Sequence, residues 1–197
     1  MFEKIDRRIA IQVASAYRTV SKEAKMTVSG IVPIIYKIEE NIKYYTNRTK
    51  ENPEHIQTEA RLESLQKWQQ TWTQSNKKAK WTKTIIKDIK TWVERKHGYI
   101  DFHLTQFLTG HGCFNVYLDR IIKNNRDTKC WFCDNPDTTK HTFFECQEWE
   151  DNRKKLSKVL NTEISEHNII NVMLSSKEYW TNIHTYITDI LKKKGRL

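Results

Sequence analysis

The chain has 197 residues, 29% of them charged and 11% aromatic, with seven Trp; this is the composition of a folded protein rather than a disordered tail. Its 34 Lys and Arg against 24 Asp and Glu give a net charge of +10, a balance that favours acidic partners. No apolar run is long enough for a membrane span, the first eight residues are too charged for a secretory leader, and four Cys without such a leader point to a reducing intracellular compartment without disulfides.

Five Gly and three Pro leave few tight turns. The expected fold is therefore all-α: helical bundle segments joined to a small metal-stapled helical domain, with little or no β structure. Ile5, Ile9, Val13 and Tyr17 recur at helical spacing and predict a first apolar stripe. Ser21, ahead of Glu23 and Ala24, starts a second short helix that Gly30 ends. Pro33 suits the first turn of a third, whose stripe is Ile34, Ile38, Ile42 and Tyr45. The polar stretch from Asn47 to Pro53 reads as a linker. A long helix over 54–74 then presents Leu65, Trp68 and Trp72 on one face. The next prediction is a single amphipathic helix over 82–96 that buries Ile85, Ile89 and Trp92, with Trp81 just ahead of it, and ends near Gly98.

Beyond it come a short helix over 104–108, a Gly110-His111-Gly112 turn, and a helix carrying Phe114, Tyr117, Leu118 and Ile121. His111 and Cys113 have no acid partner in view, so their reading is structural. Leu156, Val159 and Leu160 mark one later helix, and Ile169, Ile170 and Met173 another. Trp180, Ile183, Ile187 and Ile190 define the last helix, which is expected to dissolve into Lys192–Arg196. The expected division is 1–50, 51–98 and 99–197.

Almost all the positive excess lies in the first half, where residues 1–100 hold 20 Lys and Arg against 11 Asp and Glu. Within it, Lys77, Lys78, Lys80, Lys83, Lys87, Lys90, Arg95 and Lys96 face only Asp88 and Glu94. That segment is the expected footprint for the phosphates of RNA or DNA. Five of the Trp sit in helical stripes and read as core, namely Trp68, Trp72, Trp81, Trp92 and Trp180.

Cys130, Cys133, His141 and Cys146 form a C-x2-C-x7-H-x4-C run. A Cys-x-x-Cys turn brings two thiolates to one ion, seven residues suffice to loop back, and the last gap places imidazole and thiolate on adjacent turns. The mixed sulfur and nitrogen set points to one structural Zn2+ that contributes folding energy directly. The alternatives are reduced core cysteines or a redox pair, although nothing nearby reads as a βαβ unit. Trp131 and Phe132, between the first two ligands, are forced outward by such a turn and become candidates for stacking on unpaired bases. From Asp127 to Asp151 two Lys stand against seven acidic residues, so this segment is a poor non-specific phosphate binder.

Three stretches resemble a known family: Ala16-Tyr17-Arg18-Thr19-Val20-Ser21; the block from Thr105 through Thr109-Gly110-His111-Gly112-Cys113-Phe114 with Tyr117-Leu118; and Asp137-Thr138 ahead of His141. They look like the C-terminal region of insect non-LTR retrotransposon Pol polyproteins, of the clade inserting into ribosomal DNA or telomeric repeats. The resemblance covers about 7–194 and implies a thumb-like helical segment, a basic helical linker and a Cys-Cys-His-Cys zinc knuckle. It further implies contact with template RNA or target DNA, a nuclear location, and the rest of a reverse-transcriptase polyprotein as partner.

No catalytic centre comes with it, because the polymerase palm needs an Asp-Asp turn and the sequence contains no adjacent Asp pair. The expectation is thus a non-catalytic nucleic-acid-binding fragment. The competing reading is a structural or protein-interaction zinc module, as in a domesticated or degenerate retroelement piece.

Overall fold

A computed structural model describes residues 2–49, 52–74, 78–122 and 127–196, except for the side chains of Phe2 and Glu3. The chain is helical throughout, and among the described residues no strand forms. In order, the α-helices are α1 (Phe2–Val13), α2 (Lys22–Ser29), α3 (Ile34–Asn47), α4 (Pro53–Gln74), α5 (Lys80–Ile85), α6 (Ile89–Val93), α7 (Phe102–Thr109), α8 (Asn115–Ile122), α9 (Glu150–Leu160), α10 (Ile169–Ser175) and α11 (Lys177–Lys194). Short polar residues start several of them: the side chains of Ser21, Asp88, Asp101 and Ser176 each accept a backbone N–H three residues on.

Two cores hold the helices together. The larger takes Ala14 and Val20 near the first connection, Ile85 and Trp92 from α5 and α6, Phe107 from α7, Phe143 from the metal-site segment, and Ile183, Ile187 and Ile190 from α11. The smaller packs Leu65, Trp68 and Trp72 of α4 on Ala10, Met26 and Ile89. Helices α3 and α4 run antiparallel, as their cross-links show: Lys67 pairs with Glu39 at 2.5 Å and, a turn further along α3, Lys43 pairs with Glu59 at 2.9 Å.

The single helix expected over 82–96 is broken. Ile86 takes extended backbone, and α6 restarts at Ile89 behind the Asp88 cap. The break persists because α4 bonds the backbone groups it frees: the Trp72 indole donates to the Ile86 carbonyl at 3.0 Å, while Gln69 donates to the Lys87 carbonyl and accepts from the Ile89 N–H.

The stripe expected on α1 faces outward. Ile5, Ile9, Val13 and Tyr17 are exposed, and the inward face is Asp6, Ala10 and Ala14. Asp6 fixes this rotation by accepting the Ile34 N–H at 3.1 Å, one of the unpaired donors at the start of α3. Ile42 and Tyr45 of the α3 stripe are likewise exposed, and the buried α3 residue is Glu40, held by Lys37 and Arg61.

At the other end, α11 does not dissolve at Lys192 but continues through Lys194, whose ammonium is turned inward. Its Trp180 lies flat against the backbone at Gly98. There φ is +87°, and a Cβ would come within 2.2 Å of the indole, so only glycine fits.

Candidate metal centre

The first two candidate ligands are set by a short antiparallel bridge between Lys129 and Pro136. The Cys130 N–H donates to the Asn135 carbonyl and the Asp137 N–H to the Thr128 carbonyl, both at 2.8 Å, which closes the loop that carries Cys133. The other two come from a single π-type turn, His141–Glu145: the Cys146 N–H bonds to the His141 carbonyl at 2.8 Å, a span of five residues. Sequence spacing alone suggested adjacent turns of a short helix or a tight bend here.

The four ligand atoms lie within 4.8 Å of one another. Cys130 Sγ and Cys146 Sγ are 3.8 Å apart, and Cys133 Sγ is 3.2 Å from His141 Nε2. Four ligands around one tetrahedral ion with metal–sulfur bonds near 2.3 Å would put two sulfurs about 3.8 Å apart, so the thiol pair already sits on that edge. The two thiols are not joined in a disulfide, whose S–S bond would be about 2.05 Å long. The arrangement is compatible with one metal ion held by three thiolates and one imidazole.

Burial, reinforced by the neighbouring thiols, pushes the Cys146 thiol up to about 12, an environment that a bound cation would reverse. Burial also holds the His141 imidazole below its ordinary value, which keeps it neutral and free to ligate. Glu145 Oε2 stands 3.9 Å from His141 Nδ1, on the side opposite the ligating nitrogen. The Asn135 amide donates to Cys133 Sγ at 3.7 Å. Such outer partners orient ligands.

One residue ties this centre to the rest of the molecule. Asp137, fully buried, takes both carboxylate oxygens to the Lys194 ammonium at 2.8 Å. It also accepts from the Asn115 N–H at the start of α8 and from the Thr142 hydroxyl beside His141. A single carboxylate thus joins the ligand loop, α8 and α11. The partners lie 57 residues apart, beyond anything periodicity or motif spacing can register.

Trp131 and Phe132 do point outward, 50% and 41% exposed. The Phe132 ring meets Trp149 edge to face at 5.5 Å, and the Lys194 ammonium lies 5.9 Å from the Trp131 ring. Among the lysines, Lys78, Lys80, Lys87, Lys90 and Lys96 are exposed, whereas Lys77 lies outside the described residues. Lys83 is half-buried with its ammonium 5.1 Å from the Trp72 ring. Arg95 is spent on packing: its guanidinium stacks 4.5 Å from Trp92 and 5.7 Å from Trp180 and donates to the Trp92 carbonyl. The five Trp assigned to the core are buried, except Trp81, which is half-buried and donates to the Phe107 carbonyl. Among the described residues no helix is long and apolar enough to cross a membrane.

No known family model and no solved structure matches the chain. Over its whole length it is similar to the retrovirus-related Pol polyprotein from type-1 retrotransposable element R1 4 of Nasonia vitripennis, with 24% identity over 211 residues covering 100% of this chain and 54% of that polyprotein. The chain spans about half the length of the curated relative it matches, and a likeness along its full extent supports a retrotransposon-derived protein.

Proposed function

We propose that this chain is a non-catalytic, nucleic-acid-binding piece of a retrotransposon Pol polyprotein, kept in shape by one structural Zn2+. The observation that carries the reading is the row of exposed cations in 78–96, where Lys78, Lys80, Lys87, Lys90 and Lys96 stand against Asp88 and Glu94 alone. Such a row is suited to phosphates. Zinc fits a set of three sulfurs and one nitrogen, and four protein ligands leave no open position for chemistry at the metal. The absence of an adjacent Asp pair from the sequence supports the same conclusion for polymerase chemistry.

In this reading 1–50, 51–98 and 99–197 have different tasks while packing on shared cores. The C-terminal part is the zinc-stapled body and the middle part supplies the charge. The partners are RNA or DNA and the remainder of the polyprotein, and the place of work is the nucleus.

The test is the ionic-strength dependence of RNA and DNA binding by the purified chain. Five phosphate contacts predict a slope of about −3.5 in log affinity against log salt for single strands. A flat profile would contradict the reading and favour docking of a basic protein on the acidic metal loop.

A further inference from the structure

The Thr109–Phe114 block, the exposed cations at the start of α5, Arg120 and the distant Arg7 converge on one open groove of about 1330 Å3. It is larger than the roughly 300–1,000 Å3 of small-molecule sites. We infer that this groove is the seat of a single nucleic-acid strand, with Lys78, Lys80, Arg7 and Arg120 holding its phosphates and the half-buried Trp81 and His111 rings facing its bases. The inference rests on the nucleic-acid reading above and moves its centre from the whole 78–96 row to one end of it.

The charge is one-sided. Arg7, Lys22, Lys78, Lys80, Arg120 and Lys140 line the groove, and Glu166 is the sole acid among the lining residues. Glu166 is itself engaged by Lys140 at 2.9 Å, with Glu145 on the other side of that ammonium, so this corner carries a net −1 against the five other lining cations. Lys78, Lys80 and Arg120 are exposed and form no ion pair among the described residues. Arg7 gives one N–H to the Arg18 carbonyl and keeps its full charge. The positive field is therefore available to an incoming polyanion.

The floor is not charged. The half-buried Trp81 and His111 rings form its surface over the buried Phe114 and Tyr117, with Val116 and Ile121 exposed beside them. Trp81 is held by its bond to the Phe107 carbonyl, and the His111 and Tyr117 rings lie 4.6 Å apart. Gly110 makes this floor possible: its φ is +68° and a Cβ would stand 3.2 Å from the Trp81 ring, so the turn and the indole approach as they do only with glycine. A duplex buries its bases and offers mainly phosphates, for which rings are superfluous. A single strand offers phosphates and unpaired base faces together, and cations interleaved with rings are the surface that suits it.

The experiment uses the full zinc-loaded chain and fluorescein-labelled strands of about 20 nucleotides, oligo-uridine RNA and oligo-thymidine DNA, beside a duplex of the same length. Affinity is read by anisotropy across a salt series for the wild type, for Lys80→Glu/Arg120→Glu, and for Lys87→Glu/Lys90→Glu/Lys96→Glu, whose residues lie outside the groove. All are checked for native circular dichroism. The groove predicts that the first variant loses at least about tenfold on single strands with a salt slope shallower by about 0.7 per cation removed. The second variant, although it reverses three charges of the row, should lose less than the first. An unchanged Lys80→Glu/Arg120→Glu affinity beside a large loss in the triple variant overturns the groove and leaves the nucleic-acid reading standing. A duplex bound more tightly than either strand also overturns it. If the wild type binds no strand even at low salt, the broader reading fails and the groove with it.

Discussion

Helices α1 and α11 carry the same kind of apolar stripe and meet opposite fates. On α11, Trp180, Ile183, Ile187 and Ile190 are each at most 2% exposed, whereas on α1, Ile5, Ile9 and Val13 are 43% to 50% exposed. The difference lies in what crosses each helix. α11 runs under α7, α9 and α10, and its last turn is fastened by Lys194 to the buried Asp137. α1 is turned the other way by Asp6, which caps α3, and by Ala10 and Ala14, small enough to lie close to its neighbours. An apolar stripe identifies the sticky face of a helix; whether the face is covered depends on contacts elsewhere in the chain.

The largest effect that sharpens this contrast is loss of the metal. Binding free energies on the order of 10 kcal/mol accompany structural zinc sites, and that energy is folding energy. Chelation should therefore strip amide-exchange protection from 127–160 and from α11, while α3 and α4 keep theirs through their own ion pairs and core. Uniform loss across both halves would break the contrast.

Asp137→Asn comes next, because it leaves the Lys194 ammonium buried against a neutral group, a change that costs about 3–5 kcal/mol. Chemical denaturation should show most of that loss restored in Asp137→Asn/Lys194→Met, whereas Lys192→Met alone should stay within about 0.5 kcal/mol. Within the two stripes themselves, Ile187→Ala should cost about 2–5 kcal/mol and Ile9→Ala no more than about 0.5. Equal costs would mean that α1 is covered in solution.

An effect confined to alkaline pH concerns Lys25 on α2, which is wholly buried and donates to the Arg18 carbonyl. Burial, with Arg7 nearby, lowers its ammonium from 10.5 to about 8. Between pH 8 and 10.5 the unfolded chain binds this proton more readily than the folded one, so stability rises with pH across that window. Below pH 8 both forms are protonated and the penalty is constant. Thermal melts of Lys25→Met beside the wild type should differ in pH dependence only in that window, with the variant lacking the rise.

The sequence and the structure agree where interactions are local and part where they are distant. The clustering of Cys130, Cys133, His141 and Cys146 was legible because chelation demands close spacing, and so was the Leu65, Trp68 and Trp72 face, because those residues follow the helical period of α4. The break at 86–88 was hidden, since its stabilisers, Gln69 and Trp72, sit on another helix. Arg95 counted as a phosphate contact in a charge tally, yet two indoles more than eighty residues apart claim its guanidinium. Asp137 seemed one acid among seven in a polar loop and proved to be the buried joint between that loop and α11.

The central claim is that Cys130, Cys133, His141 and Cys146 hold one metal ion. It is tested most directly by metal content and X-ray absorption on the purified chain, with Cys130→Ser and His141→Ala alongside. The account predicts one zinc per chain with three sulfur and one nitrogen neighbours in the wild type, and loss of bound zinc in both variants. Full zinc retention in either variant, or a wild type that purifies folded and metal-free, would contradict it.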